Sequence, residues 1–139
     1  MKRAIAILVA LVFLASGLIR IGVSGLMIGE AAGWWSFGGE AAEALAGTRA
    51  FLAEAPMNLL GFSVPAYFAY IGAMGLVVSV GAVGALLRRR WGLTWLAAYT
   101  AMHGALFVNF WTINPKIWLV ALSAAAIGVL WWANGEGRA

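Results

Sequence analysis

An arginine lies inside an apolar run that is long enough to cross a bilayer. The run extends from Ala4 to Gly29, and Arg20 is its only charged residue. A guanidinium stays protonated in proteins, and its transfer to the centre of a membrane costs about 3 kcal/mol on insertion scales. Arg20 therefore requires a partner, a water-filled cavity or a lipid headgroup within reach. This requirement predicts a cluster of polar groups inside a helical membrane protein.

The composition of the whole chain favours the same class. Of its 139 residues, 64% are hydrophobic and 10% are charged, whereas a soluble domain carries about 25% charged residues. The mean hydropathy is +0.93. At about 20 residues for each crossing, a chain of this length accommodates four spans with loops between them. We therefore predict an all-α, polytopic membrane protein that forms a single four-helix domain over residues 1–139.

The limits of the four spans follow from the apolar runs and from helix-start signals. Ser63 precedes Pro65, and Asn114 precedes Pro115, which is typical of a capping residue followed by proline in the first helical turn. Tryptophans lie near the predicted ends, where the indole ring prefers the headgroup zone. The predicted spans cover residues 4–28, 64–87, 91–111 and 115–133.

The loop between the first two spans, residues 30–61, holds four of the five acidic residues. Within it, Glu40 and Glu43 open an alanine-rich stretch after two glycines. Carboxylates in a first turn stabilise a helix, and alanine has the highest helix propensity. We expect one or two short interfacial helices in this loop.

The distribution of basic residues predicts the orientation. Arginine and lysine concentrate where the predicted topology places one side of the membrane, and the other side is mainly acidic. Because cytoplasmic loops carry the excess of Lys and Arg, we predict a bacterial-type inner membrane protein with both termini in the cytoplasm. The residues on the basic side are Lys2, Arg3, Arg88, Arg89, Arg90 and Arg138.

Several polar residues are predicted to meet in the outer half of the bilayer. At about 1.5 Å of rise per helical residue, Arg20 and His103 lie at similar depth. Helical spacing brings Tyr99 or Thr100 to the face of His103. Simpler alternatives exist for both residues. Arg20 would snorkel to the headgroups or form a structural ion pair, and His103 would form an interhelical hydrogen bond. The candidate cluster comprises Arg20, His103, Tyr70 and Tyr99, with Glu30 or Glu40 as counter-ion.

Small residues recur along the first two spans at helical spacing. Gly72, Gly75 and Ser79 form such a stripe on the second span, and Gly17 belongs to a similar set on the first. Small side chains allow another helix to approach closely. The stripes predict helix packing within the chain, or contact with other membrane subunits or with a second copy, and the pattern leaves both open.

Other classes of function find little support. The chain has no cysteine and one histidine, so we predict no metal site and no catalytic residue. The basic residues lie at span ends and form no aromatic-lined basic face, and we expect no nucleic-acid partner. No cofactor is expected, although a bound quinone or lipid is left open.

The segment from Phe13 to Ile21 resembles the first-span signature of the DoxX-like family of small four-helix membrane proteins. Gly17 and Arg20 match its Gly-x-x-Lys/Arg element. The resemblance implies a four-helix fold. It also implies a link to quinone, since some members are membrane subunits of quinone-linked oxidoreductases. Only Gly17 and Arg20 match positions of the family's motif, and the resemblance implies no catalytic role for them.

Three functions follow as hypotheses. The first is a non-catalytic accessory or assembly subunit of a larger membrane complex, with a redox or quinone-linked complex as its setting. The second is a small oligomeric transporter or channel with a polar path through Arg20 and His103. The third is a quinone- or lipid-binding protein with a lateral pocket near Tyr70, Tyr99 and His103.

Overall fold

The computed structural model describes residues 1–54, 59–111 and 116–135, with side chains described as far as Ala133. In these ranges the chain forms α-helices and no strand, which confirms the predicted all-α class for this part of the protein. The predicted span start at Asn114 and Pro115 lies outside the described residues. The helices are α1 (Lys2–Ala31), α2 (Gly39–Glu54), α3 (Val64–Leu86), α4 (Arg90–Phe110) and α5 (Ile117–Gly135).

Local signals account for both ends of α3. The Ser63 hydroxyl accepts a hydrogen bond from the amide of Ala66 at 3.3 Å, so the predicted cap is confirmed. At the other end Arg88 adopts a left-handed conformation with φ of 55°. The amides of Arg88 and Arg89 bond back to the carbonyls of Ala85 and Gly84. This is a Schellman arrangement, which stops the helix sharply and turns the chain directly into α4.

Helices α1 and α3 are in backbone contact at two glycines. A Cβ added at Gly17 would lie 2.8 Å from the carbonyl oxygen of Gly75, and one added at Gly75 would lie 2.8 Å from the carbonyl oxygen of Gly17. A Cβ at Gly72 would lie 3.2 Å from the Cβ of Ser24. The small-residue stripes therefore pack against one another within the chain.

A second close contact joins α3 to α4. A Cβ at Gly92 would lie 2.9 Å from the carbonyl oxygen of Gly81 and closer still to the backbone of Ala85. Helix α5 packs beside α1 and α4. The largest side chains that become fully buried between the helices are Met74, Val78, Leu96 and Leu130.

The outside of the bundle is apolar. Helices α1 and α3 are each long and apolar enough to cross a bilayer, and α5 has a shorter apolar stretch over Ile117–Ala133. Only 22% of the most apolar stretch of α1 is buried within the chain, and Leu8, Val12 and Ile19 are more than half exposed. The core helix of a soluble protein buries such residues, whereas exposed apolar patches of this kind mark contacts with a membrane or with another protein.

One helix, α2, occupies the described part of the first loop, where one or two were expected. Glu40 lies in its first turn, and Leu45 is its buried residue. It packs against α1 and α3. The loop therefore returns to the bundle and does not extend away from it.

We expect Gly17→Ala to destabilise the protein, whereas Gly22→Ala does not lower its stability. A methyl group at position 17 meets the α3 backbone, and overpacking of this kind costs about 1–3 kcal/mol. At position 22 nothing lies within 4 Å of an added Cβ, so alanine there keeps or raises stability by up to about 1 kcal/mol. Unfolding by SDS titration, followed by circular dichroism, measures both. Equal stability of the two variants would contradict the backbone contact.

Candidate functional site

The nearest polar partner of Arg20 is a phenol on α4. The Nη2 of Arg20 donates a hydrogen bond to the Tyr99 hydroxyl at 3.1 Å, and its Cζ lies 5.5 Å from the centre of the Tyr99 ring. Phe13 packs edge-on against the same ring, with 6.4 Å between centroids. Tyr99 is buried, so Arg20 points into the bundle.

Three rings follow one another along α4 at intervals of four residues. His103 lies 5.8 Å from Tyr99 and 5.8 Å from Phe107 between ring centroids. His103 is 7% exposed. Its Nδ1 and the Nε of Arg20 are buried without a hydrogen-bond partner. Buried polar atoms are usually paired in native proteins, so these two atoms have hydrogen-bonding capacity that no described residue uses.

The acidic residues proposed as counter-ions lie elsewhere. Glu30 accepts a hydrogen bond from the amide of Phe37 at 3.0 Å and thereby closes the turn after α1. Glu40 is exposed in the first turn of α2. Because α1 continues as a helix to Ala31, Glu30 lies about 15 Å beyond Arg20 along the axis. Within the described residues no carboxylate lies close enough to pair with Arg20.

Tyr70 also has a different partner from the one expected. Its hydroxyl donates to the carbonyl of Met102 at 2.9 Å, which ties α3 to α4. One turn earlier on α3, Tyr67 faces the space beside Arg20. Sequence reasoning missed Tyr67, because helical spacing alone did not separate it from Tyr70.

A cavity of about 580 Å³ lies beside Arg20 and His103. One part of its wall is polar and another is apolar, and no acidic side chain of the described residues lines it. The polar lining comprises Arg20, Thr48, Tyr67, His103 and Lys116. The larger apolar lining residues are Phe51, Ile71, Leu106, Phe107, Phe110 and Leu119.

Helix α2 forms one wall of this cavity. Ala44, Gly47, Thr48 and Phe51 line it, and their spacing places them on one face of the helix. Phe51 packs edge-on against Phe110 of α4, with 5.0 Å between centroids. The cavity therefore lies under α2, at the end of the bundle opposite the N-terminus.

Asn109 holds the chain that leads into α3. Its Oδ1 accepts from the amide of Leu60 at 2.8 Å, and its Nδ2 donates to the carbonyl of Leu60 at 3.2 Å. The partner of this buried amide is thus a loop backbone, which the amide ties to the end of α4.

Comparison with protein-family models, curated proteins and solved structures finds no match to this chain. The resemblance to the DoxX-like family thus stays a prediction based on Gly17 and Arg20. No group of three or more metal-ligating side chains occurs in the described ranges. The arrangement provides cationic and neutral hydrogen-bond donors beside an apolar wall, which suits the binding of a molecule that has both a polar and an apolar part.

We expect Tyr99→Phe to lower the free energy of unfolding by about 1–3 kcal/mol, because it removes the hydrogen-bond partner of a partly buried charge. Tyr67→Phe is the matched control. Tyr67 lines the same cavity, and its hydroxyl has no hydrogen bond to the described residues, so we expect a change within about 0.5 kcal/mol. SDS titration compares the two. A similar loss in both variants would contradict the assigned bond.

Proposed function

We propose that α1, α3, α4 and α5 all span a bacterial-type inner membrane. Helix α4 has 21 residues and α5 has 19, close to the roughly 20 that a crossing requires. The loop between α1 and α3 and the turn between α3 and α4 reverse the direction of the chain, and α5 ends beside the start of α1. The exposed apolar surface of α1 supports the same arrangement.

The proposed orientation places both termini in the cytoplasm. The Nζ of Lys2 lies 4.6 Å from the ring centre of Trp132, so α1 begins beside the end of α5. Arg3 and Arg88 line a second cavity, of about 100 Å³, at the same end of the bundle. Basic residues thus collect at one end, and the positive-inside rule assigns that end to the cytoplasm.

The proposed function is the binding of a lipid- or quinone-like amphiphile in the cavity beside Arg20. The observation that carries it is the cavity itself, in which the polar groups of Arg20 and His103 adjoin an apolar wall. A volume of about 580 Å³ falls within the range of about 300–1,000 Å³ typical of small-molecule sites. In the proposed topology this cavity lies in the outer half of the bilayer, where amphiphiles are concentrated.

Binding is a better account of the geometry than a channel. Along α3 the cavity-lining Ile71 is followed by Met74 and Val78, which are fully buried together with Leu96. These side chains fill the bundle between the two cavities in the described residues. A polar path through Arg20 and His103 would require them to separate.

The accessory-subunit hypothesis gains no specific support. The stripe of Gly72, Gly75 and Ser79 is occupied by α1 within the chain. A partner subunit or a second copy would therefore have to bind to another face. Amphiphile binding is compatible with membership of a quinone-linked complex, which stays a prediction.

We expect Gly47→Leu to abolish binding and Gly25→Leu to preserve it. Gly47 lines the cavity, and nothing lies within 4 Å of a Cβ at either position, so leucine enters open space in both variants. Only at position 47 is that space the cavity. Native mass spectrometry of protein released from membranes in mild detergent, before and after addition of decylubiquinone or oleic acid, measures the bound mass.

Two results would contradict this function. One is a wild-type protein that carries no amphiphile and takes up neither added compound. The other is equal binding by the two leucine variants, which would place the ligand outside the cavity.

The proposed topology predicts opposite labelling of two single cysteines in this cysteine-free chain. Glu43 is exposed on α2, and Leu87 is 61% exposed at the turn after α3. In intact spheroplasts a membrane-impermeant maleimide is expected to label Glu43→Cys and to leave Leu87→Cys unmodified until the membrane is broken. The reverse pattern would invert the orientation, and labelling of both would exclude an odd number of crossings between them.

A further inference from the structure

The wall of the cavity under α2 carries the positive charge of Arg20. None of the described residues that line this cavity is acidic. The acidic residues of α2 that are described, Glu40, Glu43 and Glu54, are exposed and absent from the lining. In surroundings of low dielectric constant such a charge attracts an anion strongly.

The polar groups that face this space have unused hydrogen-bonding capacity. A guanidinium has five N–H groups, and Arg20 donates one hydrogen bond to a described residue, Tyr99. His103 is more than nine-tenths buried, lines the cavity, and has an Nδ1 without a partner. An oxyanion supplies several acceptor lone pairs and at least one negative charge, which complements this set.

The remainder of the lining is suited to hydrocarbon. Ile71, Leu106, Phe107 and Leu119 present apolar side chains to the same cavity. A small inorganic anion would leave this surface without a partner. A ligand that joins an anionic group to an apolar chain satisfies both parts of the wall.

We infer that the ligand is an anionic amphiphile, a carboxylate or phosphate joined to a hydrocarbon chain, with its oxyanion at Arg20 and His103. This inference rests on the proposed binding function and specifies its ligand class. A neutral quinone accepts hydrogen bonds from Arg20 but leaves its charge uncompensated, and an uncompensated charge away from water is strongly unfavourable.

Competition labelling in phosphatidylcholine nanodiscs tests this inference. A diazirine-bearing fatty acid is crosslinked to the full-length protein, and dodecanoate, dodecyl phosphate and dodecanol compete with it. These three competitors share one hydrocarbon chain and differ in the head. We expect both anions to compete about tenfold better than the alcohol, and crosslinks to map to α2 and α4. The better of the two anions identifies the head as carboxylate or phosphate.

Arginine variants assign the preference to the cavity. In Arg20→Met we expect the advantage of the anions over dodecanol to fall about tenfold, which corresponds to about 1.4 kcal/mol. Arg20→Lys keeps the charge and is expected to retain most of the advantage. Arg49→Gln removes an arginine that is exposed on α2 and absent from the cavity lining, and serves as the matched control. Circular dichroism verifies that each variant is folded.

The outcomes separate this inference from the function on which it rests. Equal competition by all three compounds, or a preference that Arg20→Met does not change, would overturn the anionic class while amphiphile binding stands. Inorganic phosphate that competes as well as dodecyl phosphate would overturn the requirement for a chain. If neither the fatty-acid probe nor a photoreactive quinone labels the wild type saturably, the binding function itself fails.

Discussion

The backbone contact between α1 and α3 is the constraint on which the rest of the structure depends. Gly17 and Gly75 have no side chains, and the two helices therefore approach until backbone meets backbone. The Cβ of Arg20 would lie 3.0 Å from a Cβ at Gly75. The same contact thus determines how α1 is rotated about its axis. Because Arg20 follows Gly17 by about one turn, that rotation turns the arginine toward Tyr99 of α4 and into the bundle.

Most of the helical layout could be predicted from the sequence. Each predicted span agrees with a helix to within three residues at the limits that the structure describes. Apolar runs determine this result, since each of them continues from one turn of the chain to the next with Arg20 as the one charge inside a run. The cap at Ser63 was predictable because its partner is three residues away. The left-handed Arg88 was not, since glycine is the residue usually found at such a helix end.

The candidate site was only partly predictable, for a geometric reason. Tyr99 and His103 lie on one helix, so their spacing was enough to place them together. Tyr67 and Tyr70 are three residues apart on α3, so their side chains point in different directions. Which of them faces Arg20 depends on the glycine contact with α1. Similarly, α2 lines the cavity only because it packs against α1 and α3. Local patterns do not contain such tertiary information.

A charge in a membrane-length helix can snorkel to the headgroups or can be enclosed in the bundle. The direction of the Arg20 side chain distinguishes these two explanations. An arginine that snorkels extends along the outside of its helix toward the headgroups. Here the guanidinium bonds to a buried phenol on another helix, and its Nε is enclosed. Glu30, at the end of the same helix, is engaged in a turn and does not neutralise it. The protein therefore keeps a cation inside the bundle, next to open space, with the described acidic residues elsewhere. Such a charge lowers stability unless something compensates it, and the proposed anionic amphiphile would supply that compensating group.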